Sequence, residues 1–321
     1  MEQPVTFQNV NGFRLFGMLY HPDPDRDRRT GIVVSVNAIK YRAGTFGLHV
    51  RLARQLARCG YTVLTFDPEG IGDSEGAFDF KPLTEHYFDI QTGKYNKDLK
   101  CAIDRMHAEP TVDRIVLVGL CGGAISVLTA GAGDARVAGM VLLNIPVLVE
   151  DLSRQGRDDN AGKITSSEAA TTLLKSKFAR LAQREFWGRL LRLQVDFREE
   201  WSLVRRGVYV LLRKSVRSQS GMRTRSADVP VSKHRLFNMN FQRAYFTAVA
   251  NGKSLFFLFA EHDPWTWIFK SEFQDIELRP GHPNESHCEV RILKGANHIF
   301  SAADSQAELF REVATWLRQL T

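Results

Sequence analysis

The sequence predicts an α/β protein whose mostly parallel sheet is covered by helices on both faces and interrupted by a helical insertion. Strand-like and helix-like segments alternate along the chain, and the strand-like segments are largely apolar runs, as in sheets that are buried on both faces. The alternation stops near Pro146 and resumes at about residue 254, with no clear strand in between. We therefore predict an α/β core formed by residues 1–147 and 250–321, and a basic helical cap or lid at 148–249.

Local patterns predict each element of the core. Residues 5–10 and 13–20 form a hairpin around Asn11-Gly12, a dipeptide that favours tight turns. Apolar runs predict the buried strands 31–37, 61–66, 113–120, 137–146, 254–260 and 288–293. Apolar positions at helical spacing predict the helices 45–59, 95–108, 124–132 and 302–320.

Composition excludes several classes of protein. The chain has 321 residues, of which 44% are hydrophobic and 25% charged, as in globular proteins. Its apolar runs are too short to span a bilayer, and its N-terminus lacks the pattern of a secretory signal. Four cysteines do not form a disulfide framework in a chain of this length, and no pair has metal-ligand spacing. We expect a cytoplasmic protein without a metal or cofactor.

The strongest chemical signal is the strand–turn–helix segment Gly119-Leu120-Cys121-Gly122-Gly123. It fits the G-x-S-x-G nucleophile motif with Cys in the nucleophile position. A sharp turn there would expose the side chain of Cys121 at the sheet edge, and a helix N-terminus favours a thiolate. A buried structural cysteine at a strand end is the alternative interpretation.

Two later segments complete a triad pattern. Asp263 follows the strand 254–260, and His298 follows the strand 288–293, so the chain order is nucleophile, acid, histidine. Asn144 stands at the other position where such an acid can lie, and it cannot carry the charge. We expect solvated surface roles for the other histidines, which are His21, His49, His86, His107, His234, His262, His282 and His287.

Backbone N–H groups are the candidate oxyanion donors. One is that of Gly122, and the second is expected at Ala38 or Ile39, in the loop that follows the strand 31–37. Candidate residues of the substrate pocket are Asn37, Tyr41, Arg42 and Trp265. A solvated loop is an equally simple interpretation of Tyr41 and Arg42.

The motifs resemble those of a known family. The segment from Asp67 to Gly76 resembles the D-x-x-G-x-G-x-S loop of α/β-hydrolases. Together with Lys40-Tyr41-Arg42-Ala43-Gly44 and GLCGGA at 119–124, it is similar to the exosortase A system-associated hydrolases, bacterial members with a Cys nucleophile. Cys in this turn is also similar to dienelactone hydrolases, polyhydroxyalkanoate synthases and acyl shuttles that act on carrier proteins. The resemblance covers 1–147 and 250–321 and implies acyl chemistry through a Cys-His-Asp triad.

The middle of the chain is strongly basic. Residues 151–250 hold 20 Lys and Arg against 9 Asp and Glu, whereas the rest holds 23 against 27. Between 201 and 243 the basic residues include Arg205, Arg206 and Arg213, and Asp228 is the only acid. Besides forming a solvated cap, this charge could steer an acidic acyl carrier protein or coenzyme A (CoA) to the site. The segment lacks a nucleic-acid motif, so we expect no nucleic-acid partner.

These residues suggest an acyl hydrolase of ester or thioester substrates that uses Cys121, His298 and Asp263 through an acyl-cysteine. An acyltransferase that moves the acyl group to an amine, alcohol or thiol is an alternative, because acyl-cysteines react with all three. A non-catalytic binding protein on the same fold is a third. The acyl group, the acceptor and the oligomeric state are not specified by the sequence.

Overall fold

The computed structural model describes residues 1–36, 40–78, 82–150, 235–278 and 285–320. Within these ranges the main feature is an eight-stranded sheet in the order β1-β2-β4-β3-β5-β6-β9-β10. The first three strands of this order pair antiparallel, and the rest pair parallel. The strands are β1 (Glu2–Gln8), β2 (Arg14–Tyr20), β3 (Thr30–Ser35), β4 (Thr62–Phe66), β5 (Arg114–Leu120), β6 (Val137–Leu143), β9 (Ser254–Ala260) and β10 (Cys288–Leu293). The predicted α/β class with a mostly parallel sheet is confirmed.

Helices cover both faces of the sheet. They are α1 (Leu48–Arg58), α2 (Leu83–Thr92), α3 (Asn96–His107), α4 (Gly122–Gly131), α5 (Met239–Ala250), α6 (Pro264–Phe269) and α7 (Ala303–Leu320). Because side chains alternate along a strand, neighbouring strand residues enter different cores. Val33 belongs to the cluster that includes residues of α3 and α4, whereas Ile32 and Val34 belong to the cluster that includes residues of α1 and α7. Trp316 of α7 stacks on Phe256 of β9 at 5.5 Å between ring centroids.

Two short strands border the predicted insertion, where the sequence analysis expects none. They are β7 (Leu148–Glu150) and β8 (Arg235–Phe237), and they pair antiparallel with Glu150 opposite Arg235. The described residues on either side of 151–234 are therefore adjacent. A run of three residues is too short to show a strand periodicity, which is why the sequence pattern does not reveal them.

The contacts divide the chain into two units. One unit consists of Met1–Ala161 and His234–Thr321 and contains all the described residues. The other consists of Gly162–Lys233, which lie outside the described residues. Helix α5 packs on α4, so residues 239–249, which the sequence analysis assigns to the insertion, form part of the core layer. Residues 151–234 of the predicted cap, which include Arg205, Arg206 and Arg213, lie outside the described residues.

Two histidines that were expected at the surface are buried, His49 on α1 and His86 on α2. The His49 ring packs against Gly44, where a Cβ atom would come within 2.9 Å of the ring. Burial lowers the pKa of His49 from 6.5 to about 4, although a hydrogen bond with the Arg42 backbone acts in the opposite direction. The ring is therefore neutral at pH 7, and its desolvation is tolerated only in that form.

We expect His49 to make the fold sensitive to acid. In the unfolded chain the ring takes up a proton near pH 6.5, but in the folded chain only near pH 4, so stability present above pH 6.5 is lost as the pH falls towards 4. The loss attributable to this group is roughly 3 kcal/mol. Urea unfolding at pH 7, 6, 5 and 4 should show a shallower decline for His49→Gln than for the wild type.

The matched control is His107→Gln, at an exposed histidine near the end of α3. This variant should follow the wild-type decline. An equal slope for His49→Gln and wild type would show that His49 is not the acid-sensitive group.

Candidate functional site

The side chains of the proposed triad follow strands that run parallel. Cys121 comes directly after β5, Asp263 comes three residues after β9, and His298 comes five residues after β10. The carboxyl ends of parallel strands lie at one edge of the sheet, where ligands bind in open α/β folds. The sheet topology thus brings together three residues that are up to 177 positions apart in the sequence.

The turn at Cys121 has an uncommon backbone conformation. Its φ is 55° and its ψ is −121°, which is strained for a residue that carries a side chain. Strand β5 and helix α4 approach so closely that a Cβ on Gly119 would lie 2.4 Å from the Gly123 carbonyl oxygen. The Cys121 N–H donates to the Leu143 carbonyl oxygen at 2.8 Å, which fixes the turn on β6. These glycines are therefore required by the turn that presents Cys121.

Asp263 and His298 form a close pair. Asp263 Oδ2 lies 2.6 Å from His298 Nδ1, while Oδ1 accepts the Trp265 N–H at 3.2 Å and caps α6. The Asp263 side chain is buried, and the His298 side chain is 34% exposed. Both carboxylate oxygens are therefore occupied, and the second ring nitrogen of His298 is left for another partner.

Cys121 is close enough to His298 to influence its ionisation. Burial lowers the pKa of His298, but the Asp263 and Cys121 charges outweigh it and hold the pKa well above the ordinary 6.5. A protonated imidazole ring beside the Asp263 carboxylate is the state that this direction favours. The three side chains therefore form one electrostatic unit.

Asn144, at the alternative position for the acid, has a supporting role. It is fully buried, and its Nδ2 donates to the His298 carbonyl oxygen at 2.8 Å. Its Oδ1 accepts the Ala260 N–H at the end of β9, also at 2.8 Å. Asn144 therefore links the strand that precedes Asp263 to the backbone of His298.

Of the candidate oxyanion donors, Gly122 lies among the described residues. Gly122 is the first residue of α4, so its N–H has no acceptor within the helix. Asn37, Ala38 and Ile39 lie outside the described residues. Of the other pocket candidates, Tyr41 is exposed and Trp265 is half-buried against the core. The Arg42 guanidinium bonds with the carboxylates of Asp67 and Asp73.

Tyr87 on α2 is a residue of this region that sequence reasoning missed. Helix α2 packs on the turn, since a Cβ on Gly122 would lie 2.7 Å from Ile90 Cγ2, and Tyr87 precedes Ile90 by about one helical turn. Burial raises the pKa of Tyr87, and the Cys121 charge raises it further. The sequence gives no signal for this residue, because α2 has polar residues, such as His86 and Gln91, on its buried side.

The remaining cysteines differ from Cys121. The Cys288 sulfur lies 3.8 Å from the Tyr245 hydroxyl oxygen, and burial raises the pKa of Cys288 to about 11. Burial also raises the pKa of Cys101.

Among the described ranges, no group of three or more His, Cys, Asp or Glu side chains could hold a metal ion. No helix within those ranges has the length and apolar character needed to cross a membrane.

Comparisons with known proteins agree with this architecture. The profile of the family described as "Serine aminopeptidase, S33" matches residues 32–176. An uncharacterized protein of Pseudomonas aeruginosa, PA2218, is 34% identical over 142 residues, or 43% of this chain. The match spans about a third (35%) of that relative's length.

Solved structures extend the similarity to the whole chain. The PA2218 structure has a TM-score of 0.56 at 19% identity and covers 100% of this chain and 94% of its own. The Pyrococcus furiosus esterase Pf2001 has a TM-score of 0.55 at 12% identity, with coverages of 99% and 91%. Est1E of Butyrivibrio proteoclasticus, solved with ferulic acid bound, has a TM-score of 0.54 at 13% identity, with coverages of 98% for both chains. This chain therefore has the α/β-hydrolase fold.

Proposed function

We propose that this protein is an acyl hydrolase, of esterase or thioesterase type, that acts through an acyl-cysteine on Cys121. The observation that carries the proposal is the hydrogen bond between Asp263 and His298, together with the influence of Cys121 on the pKa of His298 and the strained turn that presents Cys121. Esterases among the structurally similar proteins support the same class of reaction.

In the proposed reaction, the Cys121 thiolate attacks the carbonyl carbon of an ester or thioester while His298 holds the proton. The Gly122 N–H stabilises the developing oxyanion. His298 then protonates the departing alcohol or thiol, which leaves the acyl group on Cys121. Finally, His298 takes a proton from water, which attacks the acyl-cysteine; the C–S bond breaks, the Cys121 thiolate leaves, and the carboxylic acid is released.

A cysteine nucleophile favours acyl transfer as the second candidate function. An acyl-cysteine is a thioester, which amines, thiols and well-placed alcohols attack readily. The same His298 would deprotonate these acceptors in place of water. An acyl carrier protein or CoA would be the acyl donor, and the basic segment at 201–243 would attract either one.

We expect Cys121 to carry the acyl group. Incubation with a panel of acyl thioesters and p-nitrophenyl esters should add the acyl mass to the wild type and not to Cys121→Ala. Decay of the adduct in plain buffer indicates a hydrolase, and persistence until an amine or alcohol is added indicates a transferase. An adduct that forms equally on Cys121→Ala contradicts the nucleophile assignment, and no adduct with any donor favours a binding protein.

We expect Asp263→Asn to reduce kcat by about 10²–10⁴-fold, as the loss of the orienting acid does in other triads. Without the carboxylate the pKa of His298 falls, so the thiolate–imidazolium pair is less populated at pH 6–7 and iodoacetamide alkylates Cys121 more slowly there. The readouts are kcat and the pH profile of alkylation. Asn retains the oxygen that caps α6, so the melting temperature is the control. An unchanged pH profile would contradict the assigned role of Asp263.

We expect the basic segment to act on carrier-bound substrates. Changing Arg205, Arg206 and Arg213 to Glu should lower kcat/KM for an acyl carrier protein substrate at least 10-fold at low salt, because electrostatic steering is lost. A small p-nitrophenyl ester should change less than about twofold. The control reverses three exposed bases of the core, Arg26, Arg58 and Lys97. Equal losses for both substrates, or for both triple variants, would refute steering.

A further inference from the structure

We propose that strand β10, at one edge of the sheet, is an interaction surface for a second copy of this chain. The two β10 strands would pair antiparallel about a twofold axis at Val290, so that two eight-stranded sheets become one continuous sheet. The inference goes beyond the proposed function and does not depend on it. It is carried by the backbone directions, the faces and the charges of the residues from Cys288 to Leu293.

Strand β10 has its strand neighbour on one side. Its residues Cys288–Leu293 pair in parallel with Leu255–Ala260 of β9, and β10 is the last strand in the order of the described sheet. Arg291 is exposed, and Ile292 is 39% exposed although it is a large apolar residue. An edge strand whose outer backbone groups are free can pair with a strand of another chain.

The opposite edge of the sheet, β1, is protected against such pairing. The His21 N–H donates to the Met1 carbonyl oxygen at 2.9 Å, and the Met1 amino group donates to the His21 carbonyl oxygen at 3.2 Å. The odd-numbered residues of β1 therefore face β2, and Pro4 faces the open side. Proline has no N–H to donate to an added strand, whereas β10 contains no proline. Of the two edges, β10 is the one that can be extended.

The outer backbone groups of β10 are centred on Val290. The Glu261 N–H donates to the Leu293 carbonyl oxygen at 3.0 Å, so the backbone groups of Leu293 face β9. Because alternate residues of a strand direct their N–H and C=O groups to opposite sides, those of Cys288, Val290 and Ile292 point to the open side. About a twofold axis at Val290, this residue would pair with its own copy, and Cys288 would pair with Ile292. All of these pairs are then of the hydrogen-bonded type.

The charges of β10 select this register. Glu289 and Arg291 lie on the same face of the strand, where the Arg291 guanidinium is 2.7 Å from the Glu289 carboxylate and 3.4 Å from that of Glu312 on α7. With the axis at Val290, Glu289 of each copy stands opposite Arg291 of the other. An axis at residue 289 or 291 would place like charges directly opposite each other, which destabilises a strand pair.

The other face of β10 is apolar in the same register. Cys288 and Val290 are half-buried and pack against the core. Ile292 lies on their face by alternation along the strand, but it is exposed. The twofold axis at Val290 would bring Ile292 of each copy beside Cys288 of the other. The exposed apolar side chain would thus gain an apolar neighbour.

Helix α7 leaves room for a second copy at this edge. Its Trp316 stacks on Phe256 of β9, and a Cβ on Gly139 of β6 would lie 2.9 Å from the Trp316 ring, so this part of α7 lies over β6 and β9. Nearer its start, Glu308 and Glu312 border a groove of about 550 Å³ along β10. These carboxylates add acceptors beside the place where Arg291 of a second copy would enter.

The first test exchanges the two charges of the strand. In sedimentation velocity at about 50 µM chain and low salt, the wild type should be a dimer. Arg291→Glu sets like charges opposite each other twice per dimer and should raise the dimer Kd at least 10-fold, as should Glu289→Arg. The double variant Glu289→Arg with Arg291→Glu restores opposite charges and should return the Kd to within about threefold of the wild type. Arg318→Glu, at an exposed arginine of α7, is the charge control and should leave the Kd unchanged.

The second test removes one backbone donor. Val290→Pro deletes the N–H that points to the open side, which the pairing with β9 does not use, so the chain should fold and sediment as a monomer. Val290→Thr keeps this N–H and the branched shape of the side chain, and it should remain a dimer. Far-UV circular dichroism checks that both variants are folded.

A wild type that is monomeric at this concentration would overturn the inference. A folded Arg291→Glu or Val290→Pro variant that dimerises as tightly as the wild type would also overturn it, because the copies would then meet through another surface. The same holds for a double variant that remains as weak as the single charge reversals, since the opposite charges across the axis would then have no part in the contact.

Discussion

The strained turn at Cys121 is the constraint on which the rest of the site depends. A positive φ at a residue with a side chain costs on the order of 1–3 kcal/mol, so the surrounding structure must determine this conformation. It does so from three directions: β5 and α4 close at Gly119 and Gly123, Leu143 accepts the Cys121 N–H, and Ile90 covers Gly122. Because the turn is held so closely, the sulfur and the Gly122 N–H have one defined relation to each other.

A second constraint comes from the hydrogen bonds of buried polar side chains that follow strands of the sheet. Asp67, Asn144 and Asp263 follow β4, β6 and β9, and all three are buried. Asp67 accepts the Arg42 N–H and Asn144 accepts the Ala260 N–H, whereas Asp263 accepts the Trp265 N–H within its own segment and bonds with His298 Nδ1 of another. Buried acceptors must be paired, so each of these side chains fixes the chain segment that satisfies it. The loops around the nucleophile are thereby held together by hydrogen bonds from buried side chains.

The sequence predicts the strands of this sheet well, because runs such as 254–260 are apolar on both sides and bounded by polar turns. It also indicates Cys121, Asp263 and His298, since each stands at a fixed offset from such a run. It does not reveal α2, whose buried side includes polar residues, nor the three-residue strands β7 and β8. The burial of His49 is not predicted for another reason, because the local sequence is the same whether Gly44 packs on the ring or not.

The structure also gives a physical reason for each motif residue between Asp67 and Ser74. Asp67 holds Arg42, Gly70 and Gly72 adopt positive φ, and the Ser74 hydroxyl joins the two ends of the loop by donating to Asp67 and accepting from Phe16. Only the spacing is visible in the sequence. The partner that makes the aspartate necessary, Arg42, lies 25 residues earlier and becomes apparent when β3 and β4 pair side by side.

The charge state of the site bears on the choice between hydrolysis and transfer. In the proposed reaction, the raised pKa of His298 would leave the imidazolium ready to protonate a leaving group. Acylation of the sulfur would remove the contributions of Cys121 to that pKa and leave those of Asp263. The neutral ring would then be more populated at the step that needs a base. Water and an acyl acceptor would both use that base, so the product depends on which of them reaches His298 first.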